Sequence, residues 1–253
     1  MDRRATFNEN VQNYEAYRPT YPQELYDAIR SYSDIGPKSY GVEVGIGTGQ
    51  ATLPILQTGC RLTAVELGSE LAAYTEEKFR QYTNFDVVNC SFETYDVAET
   101  SVDLVYSATA FHWIPVEVGY PKIHRMLKTD GTLALFWNRP STSQGPLHEV
   151  IQKVYAKYWG SQVRVEESRQ KAYDKVLDQM KSYGFRDIRL ELFKAVRCFD
   201  ADSYIGLLTT YSDHRSMPES MKEPFYSEIR KAINRYGGVI TIEDTVDLYL
   251  GKK

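Results

Sequence analysis

The sequence lacks the features that mark secreted, disulfide-bonded or membrane-spanning proteins. It has only three cysteines in 253 residues, and Cys60, Cys90 and Cys198 are too far apart for metal-ligand spacing or a disulfide framework. No stretch approaches the roughly 18 apolar residues that a membrane span needs. The charges at the amino terminus are not followed by an apolar run, so this segment does not resemble a signal peptide. These absences predict a cytoplasmic protein with no membrane association.

A strong charge imbalance is also missing. The chain has 30 Lys and Arg against 34 Asp and Glu, a formal net charge of −4, whereas nucleic-acid-binding proteins usually carry a basic face. We therefore expect no nucleic-acid partner. The four histidines have no metal-ligand spacing, and we expect no metal site. What is abundant is tyrosine, with 20 residues, which indicates either a tyrosine-rich core or an aromatic-lined pocket.

Short apolar segments alternate with helical patterns in the first 140 residues. This alternation predicts an α/β fold with a doubly wound parallel sheet and right-handed crossovers. The predicted strands are 40–44, 61–66, 85–89, 101–107 and 132–137, and the predicted helices between them are 50–58, 69–82 and 116–127, with a turn at 128–131.

The alternation stops near residue 140. Pro, Ser and Gly predict a loop at 139–145, and helical and extended patterns follow it in a different order. We expect one domain, with a core formed by about 23–140 and 184–253 and a helical cap formed by 1–22, 141–182 and 200–236. The expected helices are 147–159, one that follows a charged stretch at 164–175 and ends at 183–184, 201–210 and 218–236; the expected strands are 187–196 and 245–250.

A glycine-rich turn follows the first strand of the alternating region. Gly45 allows a tight turn, Gly47 lets the backbone approach a ligand, and Gly49 lets the next helix pack close to the strand. The free N–H groups at that helix start favour an anionic or polar ligand. Glu66 ends the following strand, where a carboxylate is placed to accept hydrogen bonds from both hydroxyls of a ribose. Glu43, inside the apolar strand, needs hydrogen-bond partners if it is buried.

The spacing of these glycines separates two kinds of nucleotide site. Dinucleotide-binding proteins have G-x-G-x-x-G, whereas residues 45–49 are G-x-G-x-G with Gln50 in the place of the last glycine. A phosphate-binding P-loop is excluded because no Gly-Lys-Ser/Thr follows.

The motif Glu-x-Gly-x-Gly-x-Gly at 43–49 resembles motif I of the class I S-adenosylmethionine (SAM)-dependent methyltransferases. Further segments resemble this family in the same order, above all its small-molecule group, which includes trans-aconitate methyltransferase-like proteins. They are the leader 14–22, Glu66-Leu67, Cys90 to Glu93, the segment 103–113, and the turn 127–133, where Thr129 and Asp130 replace the usual Pro-Gly. The resemblance implies a Rossmann-like sheet of seven mostly parallel strands with the last strand antiparallel, helices on both faces, and SAM as cofactor.

The resemblance also implies roles for individual residues. Arg18 would pair with the methionine carboxylate of SAM, which suits a guanidinium group, and Ser91 and Phe92 would contact the adenine. The expected cofactor-binding residues are Tyr14, Arg18, Glu43, Gly45, Gly47, Gly49, Glu66, Leu67, Ser91, Phe92, Ser107 and Ala108.

The sequence says less about the residues that bind the methyl acceptor than about those that bind the cofactor. His112 lies just after the fourth strand and is the candidate general base, because its ordinary pKa is near neutrality. Trp113, Trp137 and Tyr211 are candidate substrate-binding residues, and Tyr211 belongs to a polar cluster at 211–215. We expect a methyltransferase, monomeric or homodimeric, that acts on a small molecule through a carboxylate or hydroxyl. The alternatives are a methyltransferase of RNA or protein, and a SAM-binding protein without catalysis.

Overall fold

The computed structural model describes residues 11–159 and 169–253, and its centre is one seven-stranded sheet. The strands are β1 Tyr40–Val44, β2 Arg61–Glu66, β3 Phe85–Asn89, β4 Val102–Ala108, β5 Leu127–Thr142, β6 Arg186–Asp200 and β7 Val239–Lys252. Their spatial order is β3-β2-β1-β4-β5-β7-β6. The first five strands are parallel, and β7 runs antiparallel to both β5 and β6. The predicted Rossmann-like sheet with an antiparallel last strand is confirmed.

Helices cover both faces of the sheet. They are α1 Val11–Tyr17, α2 Gln23–Ser33, α3 Thr52–Leu56, α4 Ser69–Lys78, α5 Val116–Met126, α6 Pro146–Trp159, α7 Arg169–Ser182, α8 Ala201–Leu208, α9 Ser212–Arg215 and α10 Glu219–Arg235. Side chains alternate along β5, so that Leu133 and Leu135 pack in one core with α5 and α7, while Ala134 and Phe136 pack in a second core with α2 and α3. A third core joins α6, α8 and α10 to the start of β7.

The predicted loop at 139–145 is wrong for its first four residues. β5 continues to Thr142, and residues 139–142 pair with residues 242–245 of β7. β7 correspondingly begins at Val239 rather than at residue 245, because Ile240 and Ile242 are buried in the third core. The predicted turn 128–131 lies inside β5, where Asp130 has a left-handed φ of 64°. Local composition indicated a loop here, but pairing with a distant strand determines the conformation.

The remaining predicted elements are present with shifted ends. α3 begins at Thr52 and α4 ends at Lys78, and a separate short helix, α9, follows α8. Part of the charged stretch 164–175 lies outside the described residues, and α7 begins at Arg169. Within 11–159 and 169–253, no helix is both long and apolar enough to cross a membrane.

Candidate active site

A cavity of about 660 Å³ opens at the carboxyl ends of the parallel strands, where α/β sheets commonly bind ligands. Its floor is formed by the segments that follow β1 to β4 and by the middle of β5. Its roof comes from the leader around α1 and from the ends of α6 and α9. The floor includes Gly45, Gly47, Glu66, Leu67, Cys90 to Glu93, Ala108 to Ala110, His112 to Ile114, Asn138 and Pro140, and the roof includes Tyr14, Arg18, Pro19, Tyr21, Trp159, Tyr211 to Asp213 and Ser216.

The glycine loop is packed so closely that side chains are excluded from it. Gly45 has a φ of 72°, and a Cβ at this residue would lie 2.5 Å from the Cβ of Ala110. Gly49 has a φ of 81°, and its Cβ would lie 2.5 Å from the ring of Phe79, so that Gly49 lies away from the cavity. Gly47 lines the cavity with a φ of 60°, and a Cβ at this residue would lie 3.6 Å from the ring of Tyr14. The loop therefore presents backbone, rather than side chains, to whatever occupies this end of the cavity.

Glu66 holds the glycine loop in place. One carboxylate oxygen accepts a hydrogen bond from the backbone N–H of Gly47 at 3.0 Å, and the other accepts from Gly68 at 2.8 Å. Burial raises the pKa of Glu66, while these backbone bonds act in the opposite direction. A carboxylate has about four acceptor positions, so two more remain for donors in the cavity. This geometry fits the two hydroxyls of a ribose.

Glu43 is buried beneath the loop and does not line the cavity. Its Oε2 accepts hydrogen bonds from the hydroxyls of Thr52 and Tyr106, both at 2.7 Å. Its Oε1 is buried with no partner among the described residues. Burial, with a smaller contribution from the charge of Glu66, raises the pKa of Glu43 to about 7 against the effect of the two hydrogen bonds. Glu43 therefore connects β1 to α3 and β4 from below the loop.

Glu43 should make the stability of the protein depend on pH. Its folded-state pKa lies above the ordinary value of 4.5, so the native state retains a proton that the unfolded chain loses. The free energy of unfolding should fall by roughly 2 kcal/mol between pH 5 and pH 8 for this group alone. Urea unfolding at both pH values measures this, and Glu43→Gln should remove this part of the slope. An equal slope in the wild type and in Glu43→Gln would contradict the assignment.

Arg18 lies in the roof between two tyrosines. Its guanidinium stands 4.9 Å from the ring centroid of Tyr14 and 4.7 Å from that of Tyr211, and one nitrogen donates to the backbone carbonyl of Thr210 at 2.7 Å. Its Nε is buried with no partner among the described residues. A half-buried guanidinium with a buried, unused donor, beside the glycine loop, fits an anionic group such as a carboxylate.

The remaining residues predicted for the cofactor are divided between the cavity and the core. Leu67, Ser91, Phe92 and Ala108 line the cavity. Ser107 does not line it, because its hydroxyl is buried and donates to the carbonyl of Val44 at 2.8 Å.

His112 and Trp137 form the wall at the end of β4. The indole Nε1–H of Trp137 donates to Nδ1 of His112 at 3.1 Å. His112 lines the cavity, whereas Trp137 is buried behind it. Partial desolvation of the ring, with a smaller contribution from Arg139, lowers the pKa of His112 to about 4.

Aromatic side chains from distant parts of the chain enclose the end of the cavity near His112, which we call the acceptor side. Trp113 and Tyr211, both predicted, line the cavity together with Trp159 from the end of α6. Asp213 also lines it, whereas its neighbour His214 is buried and hydrogen-bonded to the hydroxyl of Tyr155. Several lining residues were not among the individually predicted site residues. Thr109, which has a left-handed φ of 55°, lies in the segment 103–113 that resembles the family. The others are Pro19, Tyr21, Asn138, Pro140, Trp159, Ser212 and Ser216.

Comparisons with known proteins point to one family. A family model for a methyltransferase domain, type 11, matches residues 42–135. An uncharacterized methyltransferase-like protein of Schizosaccharomyces pombe is 29% identical over 225 residues, which cover 88% of this chain and 84% of the relative.

Solved structures share the fold at lower identity. A candidate type II methyltransferase from Anaeromyxobacter dehalogenans aligns with a TM-score of 0.63 at 18% identity, over 94% of this chain and 98% of that one. A phosphoethanolamine N-methyltransferase from Haemonchus contortus, in complex with phosphomonomethylethanolamine and S-adenosylhomocysteine, aligns with a TM-score of 0.56 at 15% identity, over 97% of this chain and 57% of that one.

Proposed function

We propose that the chain, which matches a methyltransferase domain of type 11 over residues 42–135, is a SAM-dependent methyltransferase that methylates an oxygen of a small molecule bound beside SAM in the cavity of about 660 Å³. The observation that carries this proposal is the continuity of the cavity. One end has the glycine loop, Glu66 and Arg18, and the other is enclosed by aromatic side chains near His112. A roof contributed by α1, α6 and α9 favours a small acceptor over a macromolecule.

We propose that each part of SAM is bound by protein groups of complementary hydrogen bonding, charge or apolar character. Glu66 accepts from the ribose hydroxyls, the unused donor of Arg18 binds the methionine carboxylate, and Leu67, Ser91 and Phe92 flank the adenine. SAM supplies an activated methyl group, so the task of the protein is to orient the acceptor and to exclude water. Enclosure by Trp113, Trp159 and Tyr211 serves both purposes.

The charges in the cavity restrict the acceptor further. Among the described residues that line it, Arg18 is the only cationic side chain, and the cofactor carboxylate would occupy it. Near His112, the one formally charged side chain from the described part of the chain that lines the cavity is that of Asp213. A molecule with several carboxylates would meet no compensating cation there. The cavity therefore favours an acceptor with at most one negative charge.

Transfer of a labelled methyl group tests the proposal. SAM with a tritiated methyl group is incubated with the protein and separate pools of monocarboxylates, phenols and alcohols, polycarboxylates, tRNA and unfolded protein. We expect label in the first or second pool, and none when Glu66→Ala replaces the wild type. The exposed-carboxylate variant Glu77→Ala should retain activity. Label only in tRNA or protein would contradict a small-molecule acceptor.

A further inference from the structure

We propose that His112 donates a hydrogen bond from Nε2–H to an acceptor oxygen that enters as an anion, and that Trp137 is the positioning residue that makes His112 a donor. This inference rests on the proposed function, since it concerns the acceptor of the same reaction. It replaces the general-base role that the sequence suggested for His112.

The hydrogen bond between the two rings determines the tautomer. An indole N–H is only a donor, so Nδ1 of His112, at 3.1 Å, must accept with its lone pair. A neutral imidazole carries one proton, which therefore lies on Nε2. Taking up a second proton at Nδ1 would break the bond to Trp137 and would leave the indole N–H without its acceptor.

Trp137 is held so that its indole cannot turn away. It lies in the middle of β5, opposite Asp247 of β7, and is only 7% exposed. The ring of Tyr249 packs against it edge-on with centroids 5.7 Å apart, and the Arg139 guanidinium stands 5.8 Å from its ring centroid.

The charges around His112 also favour its neutral form. Arg139 is the charged group that acts on the imidazole from β5, and its own carboxylate partner, Asp247, bonds directly to Arg139. The neighbouring ring on the same turn is Trp113, with centroids 5.0 Å apart, and it is uncharged. Within residues 11–159 and 169–253, no carboxylate pairs with His112 to stabilise an imidazolium.

The chemistry of the acceptor follows from this tautomer. The only lone pair of His112 is occupied by Trp137, so His112 has no site at which to receive a proton from a hydroxyl. Its Nε2–H, for which the described residues offer no partner, suits an oxygen that is already ionised. In the transfer, the anionic oxygen forms a bond to the methyl carbon, the carbon–sulfur bond breaks, and its electron pair remains on sulfur. The products are a neutral ester or ether and S-adenosylhomocysteine, and no proton moves.

Two sources supply such an oxygen: a monocarboxylate and an ionised phenol or enol. The pH dependence distinguishes them. With a carboxylate, kcat/KM should stay flat from pH 6 to 9, whereas with a phenol it should rise with the pKa of the free acceptor. Neither profile should show a histidine ionisation, which a general base would introduce.

The tautomer can be measured without any acceptor. Long-range ¹H–¹⁵N spectra of the S-adenosylhomocysteine complex, with the His112 signals assigned by their loss in His112→Gln, should show a neutral ring protonated at Nε2 from pH 5.5 to 8. Trp137→Phe should release the constraint, giving mixed tautomers and a raised pKa. A His112 ring protonated at Nδ1, or charged at pH 7, would overturn the inference.

Steady-state kinetics with the acceptor found in the labelled-methyl screen distinguish a hydrogen-bond donor from a general base at His112. His112→Leu should raise KM roughly 10- to 100-fold, the loss expected for one hydrogen bond to a charged group, and should leave the shape of the pH profile unchanged. His112→Gln, whose amide N–H reaches a similar position, should recover most of the loss. His124→Gln, on α5 outside the cavity, is the matched control. A fall in kcat alone that Gln does not rescue would show a base.

The two proposals fail in different ways. If no small molecule accepts the methyl group, the proposed function fails even when the spectra show the Nε2–H tautomer. If a small molecule is methylated but a histidine ionisation governs the rate, only the role of His112 is wrong.

Discussion

Replacing Glu66 with alanine should weaken SAM binding at least ~100-fold, or about 3 kcal/mol. The carboxylate supports the cofactor twice. It would accept hydrogen bonds from the ribose hydroxyls, each worth roughly 1.5–3 kcal/mol to a charged acceptor. It also holds the loop through Gly47 and Gly68, so its removal leaves two backbone N–H groups without acceptors. Titration calorimetry with SAM measures the change.

A neighbouring carboxylate provides the control for this experiment. Glu77 lies on α4, is 69% exposed and pairs with Arg80 on the surface, so Glu77→Ala should change SAM affinity less than twofold. The SAM affinity of Glu66→Gln should lie between those of Glu66→Ala and Glu77→Ala, because glutamine keeps one acceptor oxygen but places an amide N–H against a backbone donor. It also gives a result if Glu66→Ala does not fold. Affinity within threefold of wild type for Glu66→Ala would contradict the ribose assignment.

Arg139→Met should lower the free energy of unfolding at pH 7 by about 2–3 kcal/mol, less than the ~3–5 kcal/mol for a fully buried ion pair, because the Arg139 side chain is 39% exposed while its partner Asp247 is buried. Asp247 is fully buried, and Arg139 contacts both of its oxygens at 3.2–3.3 Å. Once the guanidinium is removed, the carboxylate of Asp247 keeps one hydrogen-bond donor among the described side chains. This donor is the hydroxyl of Tyr249, at 2.9 Å. Burial already raises the pKa of Asp247, so the loss should shrink at pH 5 as the carboxyl becomes protonated. Urea unfolding at both pH values tests this.

An exposed pair of the same chemistry is the control. Arg186 pairs with Asp130 at the surface, with the side chains 50% and 68% exposed, and Arg186→Met should cost less than about 1 kcal/mol. The double variant Arg139→Met/Asp247→Asn should recover much of the stability, because no buried charge remains. Equal losses for the two single arginine variants would show that burial does not determine the strength of the Arg139–Asp247 pair.

Local patterns in the sequence predicted the parts of the fold that short segments determine. The parallel strands β1 to β4 are apolar runs bounded by turn residues. The spacing of the glycines at 45–49 is compatible with few structures other than a tight turn from a strand to a helix. Glu66 follows this loop at the end of β2, so the sheet geometry alone brings the two together. For this reason the cofactor side could be outlined before the structure was known.

The acceptor side depends on contacts between distant residues. The extension of β5 to Thr142 is determined by its register with β7, about a hundred residues away, and not by its own composition. Trp159 and Asp213 reach the cavity only because the third core packs α6, α8 and α10 together.

The tautomer of His112 likewise follows from Trp137, 25 residues later, and no local motif indicates it. The sequence indicated His112 as a candidate general base, and the role that we now propose for it is a different one.

A crystal structure of the S-adenosylhomocysteine complex is the most direct test of the central claim that the cavity holds cofactor and small acceptor side by side. We predict that both ribose hydroxyls lie within hydrogen-bond distance of Glu66, that the amino acid carboxylate lies on Arg18, and that the sulfur points toward the space enclosed by His112, Trp113 and Tyr211. A cofactor bound away from Glu66, or a sulfur facing bulk solvent, would contradict the account.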